Sequence, residues 1–203
     1  VAMIATLRGT PQHRIVQHAL EALRNLDHRG AVGAEENTGD GTGIMVQLPD
    51  AFLREVSGLD LPPLGQYAAG IAFVPREADG RAAVLETLER VAAEEGLRLL
   101  GTREVPVTDG LVGPSAEEVR PDFVQVFLAD ARAERTGLEL ERAVFATRRR
   151  VEHATEGYFP SLSTRVMVYK GMLTPVQLDE FYPDLRDPRF ASALAIVHSR
   201  FST

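Results

Sequence analysis

The stretch Thr38-Gly39-Asp40-Gly41-Thr42-Gly43-Ile44-Met45-Val46-Gln47-Leu48 joins a glycine-rich segment directly to a run of apolar residues. In a dinucleotide-binding loop, glycines at spacing one and then two lead from a strand into a helix whose N-terminus binds phosphate. Here Ile44 stands where the third glycine would be, no phosphate-loop lysine follows, and the apolar run has the length of a strand. The stretch therefore predicts a tight glycine turn feeding a buried strand, and it argues against a nucleotide site.

The segments on either side of this turn predict further strands and helices. Upstream, residues 1–5 read as a buried strand, and an apolar stripe from Ile15 to Leu26 indicates a helix with Thr10 as its cap, Pro11 in its first position and its end at Gly30. Downstream, the periodicity predicts strands and helices at the following positions: strands over 67–74, 97–105, 123–128, 158–162, 165–169 and 193–198, and helices over 51–56, 79–96 and 138–153.

Two of these segments carry more detailed expectations. The helix over 138–153 is expected to bury Leu140, Val144, Phe145 and Val151 and to show its arginine triplet, residues 148–150, to solvent. The strands over 158–162 and 165–169 read as a pair bent at Ser163. Since strands and helices are read as occurring in groups, stacked sheets covered by helices are favoured over a doubly wound parallel sheet.

Composition limits the possible functions. The chain has 203 residues, 44% hydrophobic and 25% charged, which is ordinary for a folded protein of one large or two small domains. No apolar run approaches the roughly 20 residues that span a bilayer, and no leader segment opens the chain, so a cytoplasmic location and no membrane partner are expected. A net charge of -7 with scattered basic residues predicts no nucleic-acid partner.

The chain has no cysteine, which excludes disulfides, thiolate metal sites and a cysteine nucleophile within it. The five histidines lack the pairing of a helical metal site, so no metal is expected. For His28 and His198 a satisfied polar role and a functional role both stay open. The strongest clue from the residues alone is Arg200, which follows a predicted buried strand and presents a fork of donors that matches a carboxylate.

Several short segments together resemble the class II glutamine amidotransferase domain of glutamate synthases. The elements shared with class II amidotransferases in general are His28-Arg29-Gly30, Asp40-Gly41-Thr42-Gly43-Ile44 and His198-Ser199-Arg200. Those specific to the glutamate synthase type are Lys170-Gly171-Met172-Leu173 and Tyr182-Pro183-Asp184-Leu185. The resemblance runs from the first residue to the last, so residues 1–203 are expected to be one partial class II glutamine amidotransferase domain.

The resemblance implies an α+β, N-terminal nucleophile hydrolase fold, in which two stacked antiparallel sheets lie between helical layers in an αββα order, here incomplete. It also implies an N-terminal cysteine whose thiolate attacks the glutamine side-chain amide and whose own amino group is the base. The cysteine is expected two residues before Val1, in a Cys-Gly-Val sequence. The Asn-Gly segment of the oxyanion hole is expected after Thr203. Both ends lie in segments expected to be buried, which favours a piece of a longer protein.

By the same matching, Arg200 resembles the arginine that binds the glutamine α-carboxylate, and Phe201 and Thr203 resemble the adjoining substrate wall. Asp40 and Arg29 resemble supporting residues of the turn beside the nucleophile strand. No catalytic residue, cofactor-binding residue or metal ligand is expected within the chain itself. As written, the chain is expected to lack glutaminase activity, because Val1 offers neither a thiol nor a hydroxyl.

The function implied is the glutaminase step of glutamate synthesis, which supplies ammonia to 2-oxoglutarate with reducing power from NADPH or ferredoxin. FMN and an iron-sulfur cluster are implied for later domains of the full subunit. The partners implied are glutamine, the remaining domains of the large subunit and a small NADPH-oxidising subunit. Two alternatives stay open: a non-catalytic module that binds glutamine or serves as a scaffold, and another class II amidotransferase.

Overall fold

The computed structural model describes residues 1–26, 38–39 and 41–199. Its elements follow in chain order: β1 (Ala2–Ala5), α1 (His13–Asn25), β2 (Thr42–Gln47), α2 (Asp50–Ser57), β3 (Tyr67–Val74), α3 (Ala78–Glu94), β4 (Leu97–Glu104), α4 (Pro114–Glu118), β5 (Asp122–Asp130), α5 (Gly137–Ala154), β6 (Leu162–Ser163), β7 (Val166–Gly171), α6 (Leu178–Phe181), a 3-10 helix (Pro183–Arg186) and β8 (Leu194–His198). The chain divides into two compact units.

The first unit comprises Val1–Phe52, Pro106–Arg120 and Val168–Thr203. Its sheet has the strand order β1-β8-β2-β7, so the last described strand lies between the first two. β8 pairs antiparallel with β1 through Ala2↔Val197 and with β2 through Gly43↔His198. The end of β8 is therefore held on both sides by strands from the beginning of the chain.

The two faces of this sheet differ in burial. Helix α1 packs on β1 and β8, and the apolar stripe predicted for it is buried. Along β8, Ala195 and Val197 are buried, while Leu194, Ile196 and His198 are half-buried. Because side chains alternate along a strand, one face of β8 belongs to the core and the other is more open to solvent.

The second unit comprises Leu53–Val105 and Pro121–Met167, and its sheet has the order β4-β5-β3-β6. The pairings of β5 with β3 and β4, and of β3 with β6, are antiparallel. Helices α3 and α5 pack on each other and bury Leu88, Leu140 and Val144, which confirms the burial predicted for Leu140 and Val144 on α5. This unit has its own apolar core between helices and sheet.

The start of α1 differs from the sequence prediction. The helix begins at His13, and the residue before it, Gln12, has extended backbone angles and makes no side-chain capping hydrogen bond. Gln12 forms an isolated antiparallel bridge with Ser192, so backbone pairing holds the segment in which Thr10 and Pro11 were predicted to start the helix. The predicted end at Gly30 lies outside the described residues.

The predicted strand pair over 158–162 and 165–169 was wrong in its pairing. β6 is only two residues long and pairs with β3, whereas β7 is the edge strand beside β2 in the other sheet. Tyr158 forms a single bridge with Phe73. The predicted bend at Ser163 is the point where the chain leaves one sheet for the other. The sheet to which a strand belongs depends on pairing with strands far along the chain. The local sequence pattern could therefore not predict it.

One core prediction on α5 was also wrong, since Phe145 is 61% exposed. Its neighbour Val144 is fully buried, and the buried stripe continues through Thr147 and Val151. Phe145 lies about 100° around the helix from Val144, which takes it off the narrow buried stripe. An apolar residue type alone did not decide its side of the helix.

The predicted α+β class is confirmed by two four-stranded sheets with antiparallel pairing and packed helices. The class was predicted because strands and helices were read as occurring in groups, and that premise was inaccurate. Strands and helices alternate along most of the described chain. Alternation usually indicates a parallel sheet. Here β8 instead inserts between β1 and β2, a pairing that the order of elements does not reveal.

Candidate active site

The residues predicted to bind glutamine, Arg200, Phe201 and Thr203, lie outside the described residues, as do Arg29 and Asp40. The structure describes the strand that leads to Arg200 and neighbouring segments of the same unit. These comprise the end of β8, the start of β2, the end of β7 and the 3-10 helix, all in the first unit. The candidate site is therefore built from its described supports.

The end of β8 is fixed by pairing on both edges. Met45↔Ile196 and Gly43↔His198 join it to β2, and Ala2↔Val197 and Met3↔Ile196 join it to β1. The paired part of β8 thus ends two residues before Arg200. Strand pairing up to this point restricts the position from which the arginine can extend.

Gly43 allows a close approach at the last of these pairs. A Cβ atom on Gly43 would lie 2.6 Å from His198 Nε2, 2.7 Å from Lys170 Cβ and 2.9 Å from the Tyr169 carbonyl oxygen. All three distances are shorter than real Cβ atoms show. The imidazole therefore lies across the β2 backbone where any other residue would place a side chain, and glycine is required there.

The backbone of His198 has an additional hydrogen bond. The Thr42 hydroxyl donates to the His198 carbonyl oxygen at 2.9 Å. Thr42 is fully buried, and Ser199, the last described residue, is 9% exposed. Both the ring and the carbonyl of His198 are thus held by the first two residues of β2.

The glycine-rich stretch has the predicted form where it is described. Gly41 has a φ of 107°, in the region that favours glycine, and β2 follows from Thr42 onward. A Cβ atom on Gly39 would lie 2.7 Å from the Thr174 amide nitrogen and still closer to the Leu173 carbonyl. The predicted buried strand after the glycines is confirmed, and Gly39 lets the chain lie directly against the segment after β7.

The two segments specific to the glutamate synthase type meet through a pair of tyrosines. The Tyr169 hydroxyl donates to Asp184 Oδ2 at 2.8 Å, and the Tyr182 hydroxyl donates to the Lys170 carbonyl oxygen at 2.9 Å. The two rings pack edge to face with centroids 5.1 Å apart. Both side chains are fully buried. The end of β7, which borders Gly43, is thereby tied to the 3-10 helix by reciprocal hydrogen bonds.

The electrostatics of this cluster keep Tyr182 neutral. Burial raises the pKa of Tyr182 well above its usual value, and the positive charge of Arg120 lowers it by a smaller amount. A neutral phenol can donate to the Lys170 carbonyl throughout the physiological range, whereas a phenolate could not. The buried, hydrogen-bonded tyrosines therefore act as a rigid support for the end of β7.

A separate network in the second unit explains the Ser163-Thr164-Arg165 segment. Glu141 on α5 accepts hydrogen bonds from the Ser163 hydroxyl at 2.6 Å, the Thr164 hydroxyl at 2.6 Å and the Thr164 amide at 2.8 Å. The Ser163 oxygen in turn accepts from the Arg165 amide at 3.0 Å. The carboxylate thus fixes the turn between β6 and β7, which is a structural role.

Among the described residues, the remaining polar groups of the first unit do not form a metal site. Asp179, 8% exposed at its side chain, accepts hydrogen bonds from Arg24 at 2.7 Å and Arg186 at 3.1 Å beside an open groove. His13 Nδ1 lies 2.8 Å from the Phe190 carbonyl oxygen. Across the described ranges, no group of three or more histidine or acidic side chains could hold a metal ion. No helix in those ranges is both long and apolar enough to cross a membrane.

Sequence reasoning singled out His198 but did not predict that its ring lies against Gly43. It also did not predict the hydrogen bond between Tyr169 and Asp184. A glycine inside a strand pattern indicates close approach of another group, so Gly43 carried a usable signal. Tyr169 and Asp184 are 15 residues apart in different elements. No spacing rule connects them, because their contact depends on how the chain folds back after β7.

Comparison with known proteins agrees with this picture. The family model for the class II glutamine amidotransferases matches residues 1–203. The chain is 42% identical to the large chain of an NADPH glutamate synthase from Bacillus subtilis, 38% identical to ferredoxin-dependent glutamate synthase 1 from Arabidopsis thaliana and 34% identical to an NADH glutamate synthase from Schizosaccharomyces pombe. In each comparison all of this chain is covered, but only 14%, 13% and 10% of the relative.

The match over the whole chain confirms the resemblance carried by the short segments. It also confirms the expected fold class, since two antiparallel four-stranded sheets with helices are those of an N-terminal nucleophile hydrolase. The chain spans about a seventh of the length of the first relatives. On the family match and the fold together, this chain belongs to the class II glutamine amidotransferases.

Proposed function

We propose that residues 1–203 form part of the glutaminase domain of a glutamate synthase, which releases ammonia from glutamine for transfer to 2-oxoglutarate. The proposal is supported by relatives from a bacterium, a plant and a yeast that are all glutamate synthases and align over the full chain. It is also supported by the hydrogen bonds that join the two segments specific to the glutamate synthase type.

The observation that carries the proposal is the register of β1 and β8. The pairing is antiparallel and reaches Ala2↔Val197. Three further pairs in the same register would set the residue two before Val1, where the cysteine is expected, opposite Arg200. Directly opposed residues have Cβ atoms about 4.5–5.5 Å apart on one face of the sheet. A single glutamine molecule could then contact both residues.

In the proposed reaction, the amino group of the cysteine takes the thiol proton and the thiolate attacks the side-chain amide carbon of glutamine. The C–N bond breaks, ammonia leaves with the transferred proton, and a glutamyl thioester remains. Water then cleaves the thioester to give glutamate and the free thiol. Overall, glutamine and water become glutamate and ammonia.

Three residues of this chain are proposed to hold the substrate. Arg200 binds the α-carboxylate through its paired N–H donors, and Phe201 and Thr203 form the adjoining wall. Uniform binding of this kind acts on glutamine and on the transition state alike. The oxyanion hole is proposed to come from an Asn-Gly segment after Thr203.

The cofactors of the full protein are proposed to be FMN and an iron-sulfur cluster. The residues of this chain do not fit the cluster, because the chain has no cysteine. The cluster is therefore assigned to other domains of the large subunit, and FMN is assigned to them by the family resemblance. The relatives are named for NADPH, NADH or ferredoxin, so a small NADPH-oxidising subunit is one of the electron sources proposed. The location is proposed to be the cytoplasm.

The test begins with the sequence upstream of Val1 and with the full-length protein. If that sequence contains the expected Cys-Gly, we expect glutamine-dependent release of ammonia that is abolished when the cysteine is changed to alanine. Glutamine binding to the Cys→Ala protein serves as the control for folding. Another residue at that position, together with glutamine binding but no hydrolysis, would support the non-catalytic module instead. Transfer of ammonia to an acceptor other than 2-oxoglutarate would support another class II amidotransferase.

A further inference from the structure

His198, the last residue of β8, stands apart because a glycine on the neighbouring strand makes room for its ring. The space above Gly43 is bounded by the imidazole on one side and by the Lys170 Cβ atom on the other. A half-buried imidazole thus occupies the position of a missing β2 side chain. The name Gly43 notch is used for this space between His198 and Lys170.

The notch lies on the open face of the sheet. Side chains directly opposed in an antiparallel pair project to the same face, so His198 shares a face with the position of Gly43, and residues two apart on β8 share it as well. Ile196 is on this face and half-buried, whereas Val197 projects to the opposite, buried face. Arg200 comes two residues after His198 in the sequence.

The backbone of His198 is held at the same place. Thr42 donates its hydroxyl hydrogen bond to the His198 carbonyl at 2.9 Å. The peptide that leads from residue 198 to 199 is therefore fixed by Thr42, and the side chain is fixed by the notch. A change of either Gly43 or His198 would release or displace the last paired residue before Arg200.

We infer that His198 is a positioning residue for glutamine binding, which acts by seating its ring in the Gly43 notch and so fixing the end of β8 from which Arg200 extends. The inference rests on the proposed function. It assigns His198 no proton transfer and no contact with the reacting atoms. Its effect reaches the substrate only through the placement of the arginine.

The first measurement uses the full-length protein with its cysteine and compares His198→Ala with Gly43→Ala. A misplacement of about 1 Å can cost on the order of 100-fold in kcat/KM. We expect kcat/KM for glutamine to fall about 10- to 100-fold in both variants, mainly through a higher KM, because Arg200 binds substrate and transition state alike. Glutamine binding to the same variants in a Cys→Ala background should weaken in parallel.

The matched control is Val197→Ala. Val197 is adjacent on the same strand and fully buried, but it projects to the opposite face. The Val197→Ala variant therefore shows how weaker packing of β8 affects the KM when the Gly43 notch is unchanged. We expect the KM of Val197→Ala to stay within about 2-fold of wild type, within the usual scatter of a single interaction. A KM increase equal to that of His198→Ala would overturn the inference in favour of general destabilisation.

The double variant Gly43→Ala with His198→Ala provides the second test. Both single changes remove the seated contact of the His198 ring, and Gly43→Ala also crowds the Lys170 Cβ atom and the Tyr169 carbonyl oxygen. The loss in the double variant should therefore not exceed that of the more affected single variant. Losses that multiply would show that the two residues act separately and would overturn the inference. If His198→Ala is poorly folded, His198→Asn tests the same contact, because asparagine keeps polarity but is too short to cross β2.

The inference and the proposed function fail in different ways. A wild-type protein that does not hydrolyse glutamine through its cysteine would overturn the proposed function and the inference with it. An active wild-type protein whose KM is unchanged by His198→Ala would overturn the inference alone. A raised KM in both notch variants with a normal Val197→Ala variant supports it.

Discussion

The Tyr169 hydroxyl donates a 2.8 Å hydrogen bond to Asp184 Oδ2, and both side chains are buried. This bond joins the end of β7 to the 3-10 helix. Its acceptor is a carboxylate, while the neighbouring Tyr182 hydroxyl donates to a neutral carbonyl oxygen. Hydrogen bonds to charged groups contribute about 1.5–3 kcal/mol and neutral ones about 0.5–1.5 kcal/mol.

The two tyrosines therefore offer a matched comparison. We expect Tyr169→Phe to lower the local free energy of opening by about 1.5–3 kcal/mol and Tyr182→Phe by about 0.5–1.5 kcal/mol. Hydrogen exchange of peptides that cover β7 and the 3-10 helix in the full-length protein measures both. An equal or larger effect for Tyr182→Phe would contradict the assignment of Asp184 as the stronger acceptor.

Tyr182 also predicts a dependence on alkaline pH. Burial raises its pKa in the folded state, opposed weakly by Arg120. The phenol of the unfolded chain has the ordinary tyrosine pKa of 10.0, so the unfolded state loses its proton first and stability falls as the pH rises above that value. We expect the phenolate absorbance of Tyr182 to appear only on unfolding. The Tyr182→Phe variant should lack this part of the alkaline loss, and titration of Tyr182 in the folded protein at its ordinary pKa would disprove the prediction.

Asp187 predicts a dependence on acid pH. Hydrogen bonds from the Arg189 guanidinium, opposed by burial, lower the pKa of Asp187 from 3.8 to about 2. A lowered pKa contributes stability that is complete above the unfolded value and is lost as the pH falls from about 4 to about 2. Since the Arg189 side chain is 49% exposed, we expect a contribution of only about 1 kcal/mol.

The measurement is an NMR titration of the Asp187 carboxyl carbon. Arg189→Gln should return the pKa of Asp187 toward its ordinary value, because the largest cause of the shift is removed. The same substitution should flatten the loss of stability between pH 4 and pH 2. A low Asp187 pKa that persists in Arg189→Gln would mean that another group holds the carboxylate.

Arg200 predicts a loss of substrate affinity. In the full-length protein, Arg200→Ala would leave the glutamine carboxylate unpaired in its site, and removing one partner of a desolvated pair costs roughly 3–5 kcal/mol. We expect a rise in the KM for glutamine of at least about 100-fold. Arg200→Lys keeps the charge but lacks the paired donors, so its KM for glutamine should lie between those of the wild type and Arg200→Ala. An unchanged KM in Arg200→Ala would reject the carboxylate-binding assignment.

Local pattern predicted the elements whose sequence signal is self-contained. The bounds of β3 agree at both ends with the prediction over 67–74, because turn residues precede the strand and a proline follows its apolar run. The buried positions Val84, Leu88 and Val91 of α3 follow helical spacing. Phe145 shows the limit of this reasoning, because an apolar residue at the edge of the apolar stripe of a helix can be either buried or exposed.

The candidate site was predicted only as isolated residues. Arg200 was identified by its place after a buried strand, and Gly43 by its place in a glycine turn. Their relation depends on β8 inserting between β1 and β2, which brings residue 198 beside residue 43. A pairing across so many residues is set by the burial of one face against α1, and local periodicity carries no record of it.

The sequence by itself determined the class of the elements, the buried strand after the glycine-rich stretch, the absence of any thiol and the family motifs. Each of these depends on residue type and on neighbours within a few positions. Only the tertiary structure decided that β6 and β7 belong to different sheets, that Tyr169 meets Asp184 and that the His198 ring lies over Gly43. These contacts join segments that are distant in the sequence. They form because the folded chain buries one face of each sheet and pairs its strands at the same time.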